Sequence, residues 1–253
     1  SSISFDNGTC NCANASVGDT ATISGTVYTV VDNSTIAGQI ANGNVNLCTS
    51  LVTSMNRLFY EKRTFNSNIS FWDTSNVTDM FRMFSAANAF NQDISKWDTS
   101  SVTNMMKMFS DAEAFNQDIG GWDVTNVTNM NSMFEYTDFF NKDIGGWDVS
   151  SVQDIRFMFI HAASFNQDIG DWDVSNVTSF YGMFACIDSS VNCVFNQDLS
   201  AWCVSQFSSE PTDFGKDSSL SGSNKPLWGK EFIITLTSGS QTQTVTATTA
   251  ITP

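Results

Sequence analysis

The stretch from residue 90 to residue 109, FNQDISKWDTSSVTNMMKMF, has landmarks that return every 25 residues along the chain. Its opening Phe-Asn pair stands at residues 65, 90, 115, 140 and 165, with a last copy at residue 195. Its closing Met-Phe pair begins at residues 83, 108, 133, 158 and 183. A unit of this size cannot bury its own apolar face, so neighbouring units must stack to form a common core.

Tryptophan follows the same spacing. The first five copies are 25 residues apart, and an insertion lengthens the last spacing to 30 residues. Stacking of the units would align them as a structural ladder of six side chains: Trp72, Trp97, Trp122, Trp147, Trp172 and Trp202.

Each unit has two halves with different patterns. Asp93–Asp98 is short and includes a β-branched and an aromatic residue, which favours one strand of a parallel sheet. Apolar residues then follow at positions 102, 105, 108 and 109, the spacing of one helical face. The sequence therefore predicts an α/β fold, a single-chain repeat solenoid. Each unit would supply a short parallel strand and a short helix, with capped ends and a C-terminal β segment.

The repeat pattern also predicts the domain boundaries. Residues 1–46 do not fit the repeat and are rich in small polar residues, so we expect an N-terminal cap with a small hairpin. Residues 47–203 would form about six units, and residues 204–230 a C-terminal cap or exit segment. Residues 231–253 alternate apolar and polar residues, which predicts a β segment or linker, and we expect it to begin a further β module of a longer protein.

The repeated phrase, FNQDI followed by WDV, NVT and MF, resembles the BspA-like leucine-rich-repeat family of surface proteins over about residues 47–203. The resemblance implies an α/β solenoid of the leucine-rich-repeat type, as a secreted or cell-surface module of a larger protein. It also implies a loosely defined role in adhesion or interaction. The family offers no shared catalytic residues to transfer to this chain.

Charge and hydropathy exclude several classes of partner. The formal net charge is −15, from 26 acidic and 11 basic residues. Nucleic acid and anionic membrane would both be repelled by such a chain. The sequence has no apolar run long enough to span a membrane, so we expect no direct membrane insertion. The first residues lack a signal-peptide pattern, and we expect that any such peptide has been removed.

The six cysteines lie near the two ends of the repeat region: Cys10, Cys12, Cys48, Cys186, Cys193 and Cys203. This spacing predicts disulfide staples in an oxidising compartment rather than a metal site. Cys186 and Cys193 flank the inserted residues and would pair, and Cys48 would pair with Cys10 or Cys12. Each end then keeps one leftover thiol. Cys203 could instead pair locally, stay reduced or bond to another chain.

No residue constellation predicts an enzyme. Asp residues recur in columns, and carboxylates in one column are weak candidates for calcium ligands: Asp93, Asp118, Asp143 and Asp168. We expect these side chains to cap turns instead, because the pattern lacks the residue run of a calcium loop. His161 is the chain's one histidine, and we expect it at a variable surface position. We expect no cofactor.

Seven asparagines begin an Asn-x-Ser/Thr sequon and are possible glycosylation sites: Asn7, Asn14, Asn33, Asn68, Asn76, Asn126 and Asn176. Three of them belong to the repeat's own Asn-Val-Thr, so the repeat can supply them without any glycan being attached.

Two functions remain open from the sequence. The first is a non-catalytic extracellular surface module for adhesion, which binds a protein or glycan. Its binding patch would be the positions that differ between units, such as Lys96, Gly121, Gly146, Asp171 and Ala201. The alternative is a structural spacer or filament subunit of a cell-surface appendage, whose partners are neighbouring modules or subunits.

Overall fold

The N-terminal part contains most of the regular secondary structure. The computed structural model describes residues 2–188, 190–229, 232–238 and 241–247. Strands β1 (Ser4–Asp6) and β2 (Thr9–Asn11) form an antiparallel pair. Strands β3 (Thr20–Ile23) and β4 (Thr26–Asp32) form a hairpin, and β4 pairs in parallel with β5 (Leu47–Leu51).

A short α-helix, α1 (Ile36–Ala41), connects β4 to β5. Its two isoleucines, Ile36 and Ile40, are buried against the first repeat units. The parallel strand β5 is where the regular stack begins. The Trp72 indole of the following unit donates to the carbonyl of Val45, just before β5, at 3.0 Å.

Successive 25-residue units stack on each other through backbone hydrogen bonds. In the third unit, alternate N–H groups at Met105, Lys107, Phe109 and Asp111 donate to carbonyls 24 residues further along the chain at 2.7–3.0 Å. Equivalent donors bond in the same way in the units on both sides. Every unit therefore depends on the next one to satisfy half of the amides in this segment.

The remaining amides of the segment bond within the unit. Met108, Ser110 and Ala112 each donate to the carbonyl three residues earlier. Lys107 and Asp111 have left-handed φ angles of 56° and 58°. Residues with left-handed φ angles let the chain form successive tight turns, and every second N–H then points to the neighbouring unit.

The prediction of a leucine-rich-repeat α/β solenoid was wrong. The segments predicted as helices are chains of turns, and α1 is the only α-helix in the described ranges. The segment predicted as a strand, Asp93–Asp98, is not a strand either, and the isolated parallel bridges between units, such as Asp79 with Asn104, lie in the segment predicted as a helix. Apolar residues three apart suit a series of three-residue turns as well as a helix, and the spacing alone could not separate the two.

The apolar landmarks fill a continuous core. Phe rings from the Phe-Asn pair and the Met-Phe pair alternate, with Phe84 and Phe90 stacked at a centroid distance of 3.9 Å and Phe109 and Phe115 at the same distance. The six ladder tryptophans are buried beside them. Each indole Nε1 donates to a backbone carbonyl of the preceding unit at 2.9–3.2 Å. Burial of the indoles therefore leaves no donor unpaired.

A column of asparagines joins the units on another side. The backbone N–H of Asn116 donates to the side-chain oxygen of Asn91, and the same bond recurs from unit to unit at 2.8–3.0 Å. The last bond of the series runs from Ser221 to Asn196, so the exit segment continues the column beyond the repeats.

Residues 204–229 cap the end of the stack. Carbonyls of Thr212, Phe214 and Lys216 accept from the last unit at 2.8–3.2 Å, in place of a further repeat. Phe214 and Trp228 cover the end of the core with edge-to-face contacts. A 3-10 turn, Gly222–Asn224, lies in the same segment.

The predicted C-terminal β segment is an antiparallel hairpin of β6 (Phe232–Ser238) and β7 (Gln241–Ala247). The rest of that prediction, residues 231, 239–240 and 248–253, lies outside the described residues. In the described part of the chain, no helix has the length and apolar character needed to cross a bilayer.

Replacement of a core tryptophan tests the stacking directly. Trp122 is 3% exposed and donates to the Ile94 carbonyl. We expect Trp122→Ala to lower the free energy of unfolding by about 3–5 kcal/mol in denaturant titration. Trp122→Phe keeps a ring but removes the donor, and it should cost less. A loss below about 1 kcal/mol for the alanine variant would show that the ladder does not stabilise the core.

Candidate functional site

One face of the stack is formed by the turns among the repeat's apolar positions, and its side chains differ from unit to unit. At one turn position, the successive units carry Tyr60, Ser85, Ser110, Glu135 and Ile160. Three residues earlier is a position with a left-handed φ angle, where the units carry Arg57, Arg82, Lys107, Ser132 and Phe157. The backbone of this face is constant, and its chemistry changes from unit to unit.

A polar cleft of about 320 Å³ opens on this face across the first three units. It is lined by three basic side chains, Arg63, Arg82 and Lys107, and three acidic ones, Glu61, Asp111 and Glu113, together with Tyr60, Ser85, Ala86, Asn88 and Ser110. A cleft with both charge signs and several amide and hydroxyl groups suits a polar ligand.

Most charged groups in the cleft already have partners. Lys107 Nζ lies 3.1 Å from Glu135 Oε2, and Asn88 bridges Arg63 and Glu113 with hydrogen bonds of 3.3 and 2.6 Å. Desolvation on burial raises the pKa of Asp111 above its usual range, and the neighbouring Glu135 adds to that shift. These contacts fix the walls of the cleft.

Arg82 differs from these groups. Its Nε is buried and has no hydrogen-bond partner among the described residues. The guanidinium lies over the rings of Tyr60 and Phe81, at 5.7 and 5.3 Å from their centroids, and Arg57 lies over the same two rings. The aromatic rings hold the guanidinium in place without neutralising it. Arg82 is therefore a fixed cation with an unused donor.

This cleft was not among the sites predicted from the sequence. A signal was present, because six of the chain's 11 basic residues lie between residues 57 and 107: Arg57, Lys62, Arg63, Arg82, Lys96 and Lys107. The positions proposed instead as the varied patch are exposed: Lys96, Gly121, Gly146, Asp171 and Ala201.

The weak calcium candidates all act in turns. Asp93, Asp118, Asp143 and Asp168 each accept the backbone N–H two residues further on through Oδ1, at 2.9–3.1 Å. Hydrogen bonds from Ser95 lower the pKa of Asp93 below its usual range. The second Asp column, which includes Asp123, makes the same kind of turn.

The cysteines form two groups. Cys186 and Cys193 form a disulfide, with a Cα–Cα distance of 5.9 Å. At the other end, Cys10, Cys12 and Cys48 are buried unoxidised thiols, and Cys48 is within hydrogen-bonding reach of both of the others. The bond with Cys48 lowers the pKa of Cys12 to about 7, whereas the pKa of Cys48 is raised. Cys203 is also buried.

All seven sequon asparagines are exposed, but four of them use the amide nitrogen that would carry a glycan. In the repeat sequons, Nδ2 of Asn76, Asn126 and Asn176 donates to a carbonyl of the preceding unit at 2.7–2.9 Å. Asn33 Nδ2 donates to Thr53 Oγ1 at 2.8 Å. A glycan at these positions would remove contacts that stabilise the stack.

The prediction of an exposed His161 was wrong. The side chain is 5% exposed and packs against Tyr136 with a ring-centroid distance of 4.7 Å. The equivalent position is exposed in the first and third units, at Glu61 and Asp111, whereas His161 in the fifth lies beside Cys186 and Cys193 of the inserted loop.

Because the Asp columns are occupied by turn hydrogen bonds, folding should not depend on calcium. We expect EDTA to leave the melting temperature almost unchanged, in a scan with added CaCl₂ as the control. A drop of about ten degrees or more, equivalent to more than 1 kcal/mol for a domain of this size, would contradict the assignment of these carboxylates to turns.

Comparison with known proteins gives one result for the repeats. The family described as "Mycoplasma protein of unknown function, DUF285" matches residues 28–142 and, in a second overlapping match, residues 115–225. No curated protein and no solved structure matches the chain. The two matches are offset along the same repeats and together span most of the sequence, so this repeat protein belongs to the DUF285 family.

Proposed function

We propose that this protein is a non-catalytic extracellular surface module that binds an acidic glycan in the cleft around Arg82. The observation that carries the proposal is the Arg82 guanidinium, which lines the cleft, lies over the rings of Tyr60 and Phe81 and has no ion pair among the described residues. A carboxylate is the natural acceptor for such a group, because the terminal nitrogens of a guanidinium bind it with charge-assisted hydrogen bonds.

The other groups in the cleft suit sugar hydroxyls. Glu61, Asp111 and Glu113 can accept from hydroxyls, whereas Asn88 and Ser110 can both donate and accept. Tyr60 borders the cleft and offers an aromatic surface for the apolar face of a sugar ring. The cations and the acids lining the cleft are equal in number, which favours a mostly neutral ligand with one acidic group over a polyanion.

Two features support the proposed extracellular location: the disulfide bond and the resemblance of the repeated phrase to a family of surface proteins. A disulfide such as Cys186–Cys193 persists in oxidising compartments. The repeat phrase resembles that of BspA-like surface proteins, and we propose the same setting and an adhesive role for this chain.

The alternative function, a spacer or filament subunit, is favoured by the constant geometry of the stack. Its identical backbone bonds from unit to unit would suit a rod. The exit segment, however, supplies the carbonyls that a further unit would supply, and Phe214 and Trp228 cover the end of the core. A closed end suits a discrete module better than a chain of end-to-end subunits.

A glycan array followed by calorimetry tests the binding proposal. We expect binding of glycans that carry a uronic or sialic acid carboxylate, and weaker binding of their neutral or esterified analogues. Arg82→Ala should weaken binding about tenfold or more, since a hydrogen bond to a charged group contributes about 1.5–3 kcal/mol.

Arg156→Ala is the matched control. Arg156 lies on the same face but outside the cleft, and it is paired with Asp154 at 2.7 Å. It should leave affinity unchanged. Equal effects of the two substitutions, or no binding of any acidic glycan, would contradict the proposal, and capture of a protein partner that ignores Arg82 would favour a different interaction surface.

A further inference from the structure

Three potential metal ligands meet at the inserted loop of the last unit. His161, Cys186 and Cys193 each offer one ligand atom, and these atoms all lie within 4.8 Å of one another. All three side chains are buried, with exposed fractions of 5%, 1% and 4%. Neither the repeat pattern nor the cleft around Arg82 accounts for this group of side chains.

The backbone holds the three residues together independently of the disulfide. The N–H of His161 donates to the Ala185 carbonyl at 2.9 Å, next to Cys186. The N–H of Cys186 donates to the Lys216 carbonyl at 2.8 Å, and the N–H of Val194 donates to the Ala163 carbonyl at 3.2 Å. Opening of the disulfide would therefore release the short inserted loop while both cysteines stay beside His161.

The histidine has an unused ring nitrogen. Its Nδ1 is buried without a hydrogen-bond partner among the described residues. Leaving such a group unpaired costs about 1–3 kcal/mol, so it calls for an explanation. An imidazole nitrogen with two neighbouring sulfurs is a ligand set that zinc-like cations favour.

We propose that reduction of the Cys186–Cys193 disulfide converts this corner into a binding site for Zn²⁺ or a similar thiophilic cation, held by two thiolates and the His161 imidazole. Three protein ligands leave the fourth tetrahedral position to water. In the disulfide form the sulfurs are bonded to each other and cannot act as thiolate ligands, so the site exists only in the reduced protein.

The chemistry balances with a thiol as the reductant. Two equivalents of a small thiol reduce the disulfide to two cysteine thiols and leave as the oxidised disulfide of that reagent. Binding of one Zn²⁺ then replaces the two thiol protons, which pass to solvent, and the imidazole binds as the neutral ring. The site would thus release its metal when it is reoxidised.

Cobalt and NMR titrations of the full chain test the proposal. After reduction with TCEP, addition of Co²⁺ should give thiolate charge-transfer bands and the visible bands of a tetrahedral site. Because His161 is the only histidine in the chain, its imidazole ¹⁵N signals need no assignment, and one of them should shift on addition of Zn²⁺. The disulfide form should show neither change.

Substitutions distinguish metal binding at this site from metal binding by the N-terminal thiols. His161→Gln and Cys193→Ser should each weaken Zn²⁺ binding at the corner by at least the 10- to 100-fold that is typical even of outer-shell changes. Cys12→Ser should leave the imidazole shift intact. Unshifted imidazole signals, or His161→Gln binding as tightly as the wild type, would overturn the proposal. Loss of the tertiary fold on reduction, seen by tryptophan fluorescence, would also overturn it.

Discussion

Backbone hydrogen bonds between neighbouring units are the constraint on which the structure depends. Every second amide in the turns donates to a carbonyl 24 residues ahead, as Lys107 does to Asn131. Hydrogen bonds from the tryptophan indoles and to the asparagine side chains also join each unit to its neighbour. A unit removed from the stack would expose these groups and the Phe rings that pack between units, so stability is shared between neighbours, and the two ends need caps.

This constraint explains which parts of the fold could be predicted from sequence. The unit length, the buried landmarks and the need for caps follow from the spacing of Phe, Trp and Met. The local conformation did not follow, because apolar residues at 102, 105, 108 and 109 fit a helix and a series of turns equally well. Left-handed φ angles at Lys107 and Asp111 exclude a helix, and a lysine does not signal such an angle in a sequence.

The candidate sites also differ in whether they could be predicted from the sequence. The Cys186–Cys193 pair could be predicted because its two members flank one insertion. The cleft could not, because Tyr60, Arg82 and Lys107 belong to different units and meet only when the register of the stack is known. The same applies to His161, whose burial depends on an insertion some 25 residues away. Residues in the turns can differ between units without a change in the core, so the surface can acquire different functional groups. This property is consistent with the binding role proposed for this chain.

The most direct test of this account is NMR detection of scalar couplings across hydrogen bonds in the turns. The account predicts a coupling between the amide nitrogen of Lys107 and the carbonyl carbon of Asn131, which belongs to the next unit, since these groups are joined at 2.9 Å. The amide of Asp111, at the surface, should couple to the carbonyl carbon of Glu135. Couplings from these amides to carbonyls four residues earlier would instead show helical units and would contradict the account.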